Sequence, residues 1–355
     1  MPETPLRTLL GIDLPIIQAP MAGVQGSALA AAVSNAGGLG SLPAAMLGLS
    51  ALRSELTALQ AATDRPYNVN FFCHEAAEGE PARLQAWRAT LQPLRQGLGL
   101  GLDDSATPAG AARTPFHADA AALLAEFRPA VVSFHFGLPS PALLASVKAW
   151  GARVLASATT VDEARWLHAH GADAVIAQGL EAGGHRGHFL SHDLSRQMGT
   201  FALLPQVLRA VPCPVIAAGG IADADGVAAA LALGATAVQL GTSFLLCDEA
   251  TTSALHRAAL QRPGAAHTAL TNLFTGRPAR GIVNRVMAEL GCLHAAAPPF
   301  PWAAGEMAPL RAAAEALGLA DFSPLWAGQN TSGCQAIPAA AMLRQLARKP
   351  ATIGQ

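Results

Sequence analysis

Along most of this chain, short apolar runs rich in β-branched residues alternate with longer alanine- and leucine-rich stretches of helical spacing. The runs at 14–21, 39–42, 66–72, 130–134, 153–156, 174–178, 214–218 and 237–240 read as strands. Helices are expected after them at 27–33, 50–62, 118–127, 141–150, 161–170, 201–210 and 224–233, with Ser27 capping the first. Alternation in the third strand puts Asn68 and Asn70 on one face. Eight βα repeats over about 260 residues predict an α/β fold, a closed (β/α)8 TIM barrel.

The rhythm fails twice. Residues 75–114 form an insertion after the third strand, with a helical piece at 83–95 and glycine-rich stretches at 97–101 and 107–110 that are expected to be partly mobile. Beyond about residue 263 the repeat stops. Residues 268–274 look extended, 282–290 helical, Pro298-Pro299-Phe300-Pro301 a stiff link, and 309–317 and 339–348 helical. The expected organisation is therefore a barrel over 1–263 and, over 264–355, a smaller, mainly helical cover on the substrate side.

Composition agrees with a large core: 51% of the 355 residues are hydrophobic and only 13% are charged. A net charge of −1 gives no reason to expect nucleic acid or an anionic membrane as partner. The five cysteines include no C-x-x-C pair, which argues for a reducing compartment and against a disulfide framework or a zinc site. No cleavable leader and no run of 18 apolar residues is read, so a soluble cytoplasmic protein is expected, compatible with a monomer or a homodimer.

Candidate chemistry gathers at the strand ends. The sixth strand runs into Gln178-Gly179-Leu180-Glu181-Ala182-Gly183-Gly184-His185-Arg186-Gly187, where a polar, glycine-rich loop carries a histidine. Gly219-Gly220 and Gly241-Thr242 end strands seven and eight, the usual phosphate site of such barrels, where main-chain N–H groups bind the anion. Neither is a Walker loop, and no G-x-G-x-x-G opens a helix after strand one. Met21-Ala22-Gly23 follows strand one, and its small residues would let a planar ring lie against backbone. Asn70 and Gln178 carry amides suited to a heterocycle or a sugar chain, or equally to loop-closing hydrogen bonds. His135 follows strand four and can face the same mouth. His185, His188 and His192 invite a metal reading, but the glycines oppose a helix and no third carboxylate ligand is in place. No G-x-S-x-G elbow supports a covalent hydrolase.

Gln18-Ala19-Pro20-Met21-Ala22-Gly23, Ser34-Asn35-Ala36-Gly37-Gly38-Leu39-Gly40-Ser41, the loop beginning at Gln178, Ala217-Ala218-Gly219-Gly220-Ile221 and Gln239-Leu240-Gly241-Thr242 occur in that order. Together they resemble the nitronate monooxygenases, formerly 2-nitropropane dioxygenases, and most closely their class I branch. The likeness covers residues 10–250, and Trp326-Ala327-Gly328-Gln329 extends it. It implies non-covalent FMN, with Met21, Ala22 and Gly23 along the ring and Asn70 and Gln178 bonding ring or ribityl. It also implies Gly183, Gly219, Gly220, Gln239, Leu240, Gly241 and Thr242 around the phosphate, and His185 as the active-site histidine.

The implied reaction oxidises an alkyl nitronate with O2 to a carbonyl compound and nitrite, by one-electron transfer to the flavin. The expected physiological substrate is the toxin propionate 3-nitronate, so the role is detoxification. His185 would orient the nitronate as imidazolium or donor, or act as base if neutral nitroalkanes are taken. Class I members often carry tyrosines and a lysine in the C-terminal cover. Here the only tyrosine is Tyr67, and the matching stretch runs from Phe300 through Trp302 to Met307 without lysine. His135, Phe300 and Trp302 are the substrate-side candidates. Two rival readings are an FMN-dependent NAD(P)H reductase of quinones or enoyl thioesters on the same barrel, and a barrel that binds a phosphate ligand without redox chemistry.

Overall fold

The computed structural model describes residues 9–75, 79–101 and 113–348. Its centre is a parallel sheet of eight strands: β1 Ile16–Gln18, β2 Gly40–Pro43, β3 Tyr67–Phe72, β4 Val131–His135, β5 Arg153–Ala158, β6 Ala174–Gln178, β8 Val215–Ala218 and β9 Ala237–Leu240. Each pairs with its sequence neighbour in this set, and β9 pairs with β1. The ring closes between β1 and β2, where the Gln18 N–H donates to the Leu39 carbonyl at 2.9 Å. The fold is the (β/α)8 barrel expected from the repeat.

Both faces of the strands are buried, which explains their near-continuous apolar character. Ile17, Leu39, Leu155, Ile176 and Ile216 fill the barrel interior, with Leu10 and Ile12 packed against them. The outward-facing set, such as Val69, Phe134, Val154 and Val175, packs under the helices. Gly40 is required where β2 meets the helix Ser27–Asn35, because a Cβ there would lie 1.8 Å from the Ala30 carbonyl oxygen.

Asn68 and Asn70 do share a face. Asn68 Nδ2 donates to Ser41 Oγ and Ser133 Oγ, and Ser133 Oγ donates to Asn70 Oδ1 at 2.8 Å. This buried polar ladder climbs the barrel interior toward its carboxyl end.

Three local expectations need correcting. Ser27 is not the cap of its helix. Gly26 holds that position, and the Ser27 N–H is satisfied by the Glu55 carboxylate at 2.6 Å. The piece expected to be helical from 282 begins as a strand, β11 Ala279–Ile282, and turns helical only over Arg285–Leu290. The helix expected from 309 starts earlier, spanning Ala303–Ala316 with Pro309 inside it.

β11 pairs antiparallel with β10 Thr268–Thr271 on one side and with the two-residue strand β7 Gly184–His185 on the other. The segment after 263 is therefore not only helical: it adds strands to the histidine loop.

The insertion helix Pro81–Gly97 packs Trp87, Leu91 and Leu94 against Phe274, Met287, Met307, Leu310 and Phe322. Arg88 pairs with Glu306 at 2.8 Å across the same contact. The insertion and the later segment thus share one small core over the barrel mouth. Part of the stretch expected to be mobile, 102–112, lies outside the described residues. The last helix, Ala339–Leu346, returns to the barrel wall, where Leu343 packs at Gly38 beside the first helix. No helix among the described residues is long and apolar enough to cross a membrane.

Candidate active site

A single cleft opens at the carboxyl ends of the strands. Met21 and Ala22 after β1, Asn70 of β3, His135 of β4, Gln178 of β6, Gly219-Gly220 after β8 and Gln239 to Thr242 at the end of β9 all line it. Gly183, Gly184 and His185 complete the wall from the β6 loop. Most of the residues singled out in the sequence are brought together. Gly23 takes φ +84° next to the cleft but is not in its wall. Phe300 lies one layer back, in an aromatic cluster with Phe72 and Phe136. Trp302 covers Gly79 of the insertion instead of facing the cleft.

The loop that carries His185 is held from both ends. Gln178 Nε2 donates to the His185 carbonyl at 3.0 Å, and Gln178 Oε1 accepts from the Gly187 N–H at 2.8 Å. The amide named as a cofactor contact thus closes its own loop with one of its two N–H groups and one lone pair. Arg186 turns inward, fully buried, and donates to the carbonyls of Gln178 and Gly179 and to Gln197 Oε1, at 2.7–2.8 Å. Burial holds its pKa down to about 9, and its hydrogen bonds go to neutral oxygens at the end of β6 and on Gln197.

His185 also forms β7, where it pairs with Ala279 of β11. Its Nε2 lies 2.9 Å from Thr275 Oγ1, which is 3.3 Å from the Arg277 carbonyl. When Thr275 donates to that carbonyl, Nε2 must carry the proton, and Nδ1 is left as a lone-pair base. Burial depresses the His185 pKa well below the usual histidine value, and Arg113, His135, Arg277 and His188 add to the effect. The imidazole is therefore neutral at neutral pH. His135 Nε2 lies 3.1 Å from the His185 carbonyl and is likewise held low, to about 3, mainly by burial.

Around this histidine the wall is aromatic. The rings of Phe72, Phe136, Phe300 and Trp326 lie 5.6–6.1 Å from it, all edge-on or tilted. Arg277 covers the Phe136 ring at 3.9 Å and donates to the His188 carbonyl. Sequence reading missed Thr275, Arg277 and Arg113. The one available signal was the Thr275-Gly276-Arg277 turn between two extended stretches, which points to a hairpin and says nothing of where it docks. Among the described residues no three metal-ligating side chains converge.

The glycine turns line the same cleft, against the start of the His185 loop. Gly219 and Gly220 have φ of +115° and +75°, and a Cβ at Gly219 would lie 3.0 Å from the Ala182 nitrogen. Residues from the far end of the chain tie these turns together. The Gly328 N–H donates to Thr242 Oγ1 at 2.9 Å, the Gln329 N–H to the Glu181 carbonyl at 2.9 Å, and Asn330 Nδ2 to the Gly220 carbonyl at 3.2 Å. The Glu181 carboxylate is engaged at the start of helix Thr200–Ala210, accepting from the Thr200 N–H at 2.8 Å. Gln239 Oε1 is buried in the wall without a partner.

Comparison with known proteins gives the family. The family model described as nitronate monooxygenase matches residues 3–349. A nitronate monooxygenase of Pseudomonas aeruginosa is 45% identical over 344 residues, covering 95% of this chain and 96% of the relative. One from Paraburkholderia phytofirmans is 45% identical over 351 residues, covering 97% and 94%. Among solved structures, a nitroalkane oxidase from Streptomyces ansochromogenes superposes with a TM-score of 0.87 at 41% identity, covering 96% of each chain. With the family model matched along nearly its whole length, the chain belongs to the nitronate monooxygenase family.

Proposed function

We propose that this enzyme binds FMN in the cleft and oxidises alkyl nitronates with O2 to a carbonyl compound and nitrite. The observation that carries the reading is what a single cleft wall gathers. His185, a neutral imidazole among aromatic rings, and the glycine turns with positive φ line the same cavity. The donor set fits a flavin mononucleotide. Main-chain N–H groups around Gly219, Gly220 and Thr242 suit a phosphate, and the unpartnered Gln239 Oε1 suits a ribityl hydroxyl or a ring N–H. With Asn70 Oδ1 already accepting from Ser133, Nδ2 is the end of that amide available to a ligand. Met21 and Ala22 supply a thin wall for the ring.

FMN would supply the one-electron acceptance that the oxidation needs. The protein's own part is positional. His185, neutral and held by Thr275, offers Nδ1–H to a nitronate oxygen when Nε2 accepts from the Thr275 hydroxyl, in a site closed by Phe72 and Trp326 where that hydrogen bond is stronger than in water; in the other tautomer Nδ1 is a base. A neutral imidazole donates a proton in a hydrogen bond or accepts one from carbon acid, but does not neutralise the nitronate as an imidazolium would. The reaction is placed in the cytoplasm.

The test is anaerobic mixing of the purified yellow protein with propyl-2-nitronate and, separately, with NADH. Nitronate is expected to change the flavin spectrum, and NADH to leave it unchanged. Bleaching by NADH with no response to nitronate would instead identify a nicotinamide-dependent reductase, and protein that stays colourless with added FMN would identify a non-redox binder.

A further inference from the structure

Among the described residues the segment after 263 contains no lysine, so a charge that selects a substrate has to come from elsewhere. Arg113, at the end of the insertion, lines the cleft. Its guanidinium lies 5.4 Å from the Phe300 ring, and Nη1 is shut off from solvent without a hydrogen-bond partner. Among the described residues Arg113 forms no ion pair. Among the described residues the one carboxylate in the cleft wall is Glu181, which sits beside Gly220 and is held by Thr200. The other titratable groups that bear on this corner are Arg277, His74, His135 and His185, none of them acidic. A buried donor on a cation, with no anion near it, is costly unless a ligand supplies the partner.

Building on the function proposed above, we propose that Arg113 is the specificity residue that reads a carboxylate on the substrate, while His185 meets the nitronate group. The geometry fits a short bifunctional anion. Both groups line the cleft and both lie against Phe300, the Arg113 guanidinium at 5.4 Å and the His185 ring at 5.6 Å, which bounds their separation within the reach of a chain of a few carbons and its two hydrogen bonds. A planar guanidinium binds a carboxylate through paired N–H donors, which an apolar alkyl end could not satisfy.

Two measurements test this. At pH 6.5 the loaded protein is titrated by calorimetry with 3-nitropropionate and with 1-nitropropane, which differ in the carboxylate. The unsubstituted protein is expected to prefer 3-nitropropionate by more than tenfold. Arg113→Met should remove that preference and Arg113→Lys should restore part of it, with both variants melting within a few degrees of the parent. Binding of the two compounds within threefold of each other, or a preference retained in Arg113→Met, would overturn the assignment.

Turnover gives the second measurement. With propionate 3-nitronate, Arg113→Met should raise KM at least tenfold with kcat held within threefold, and the loss on propyl-1-nitronate should stay within threefold. Equal losses on both nitronates would overturn the assignment, since Arg113 would then serve the nitronate group or the fold. Failure of the unsubstituted protein to oxidise either nitronate, with the binding preference intact, would sink the proposed reaction and leave Arg113 as the carboxylate reader.

Discussion

Gln178 and His185 are joined by a hydrogen bond that makes the last residue of β6 the anchor of the active-site loop. The Gln178 amide donates to the His185 carbonyl at 3.0 Å and accepts from the Gly187 N–H at 2.8 Å, bridging the loop across nine residues. Replacing it with leucine leaves a buried carbonyl and a buried N–H without this partner, at a cost of about 1–3 kcal/mol each. Gln178→Leu is expected to lower the urea midpoint and to cut nitronate turnover by more than tenfold while FMN stays bound. Unchanged turnover would show that the loop does not need this clamp.

In the proposed reaction His185 is the group that meets the nitronate. His185→Asn keeps a polar side chain but removes the ring nitrogen that faces the substrate. The expected result is retained FMN, judged by its absorbance, with kcat/KM for propyl-2-nitronate lowered more than tenfold, or more than about 1.4 kcal/mol of transition-state stabilisation. Turnover equal to the parent's would refute the role.

Gly220 has φ +75°, a conformation that L side chains rarely adopt. Gly220→Asp adds backbone strain and a second carboxylate beside Glu181, just where a phosphate is proposed. The protein is expected to purify largely colourless. Gly220→Ala, with the strain but no charge, separates the two effects: it should keep more FMN than the aspartate variant. Full yellow colour in Gly220→Asp would contradict the placement of the phosphate.

Acid should destabilise the fold early. Burial, as the main cause, lowers the pKa of His74 and His256 to about 4 and of His135 and His188 to about 3. In the unfolded chain histidines titrate near ~6.5. Between those values the unfolded state takes up protons that the folded state refuses, so stability present above ~6.5 is lost as pH falls. Each such histidine contributes a slope of up to ~1.4 kcal/mol per pH unit. Urea midpoints at pH 7.5, 6 and 5 should fall steadily, whereas a flat profile across that range would mean that these rings are not buried neutral.

The barrel was legible because each element states itself locally. A buried parallel strand must be apolar on both faces, a surface helix on one, and the alternation repeats often enough to be counted. The glycine turns after β8 and β9 were legible for a similar reason, since positive φ at 219 and 220 leaves little choice of residue. Asn68 and Asn70 followed from the two-residue period of a strand. Element ends were less legible. Ser27 looked like a cap, but a carboxylate 28 residues away satisfied the helix start, and no local pattern encodes that.

What the sequence determined by itself was the barrel, the strand ends where the candidate site residues gather, and the loop that presents His185. Only the tertiary structure decided how that loop is held and what surrounds it. Arg186 turned out to be a buried brace for the end of β6, Gln178 a clamp, and β11 the strand that pairs with His185. Thr275, Arg277, Arg113 and Trp326 reach the site from segments far along the chain. The physical reason is range. Backbone periodicity and turn preferences act over a few residues and leave a mark in the order of amino acids. The partner of a buried polar group is whatever the folded chain happens to bring within about 3 Å, and that is settled by packing.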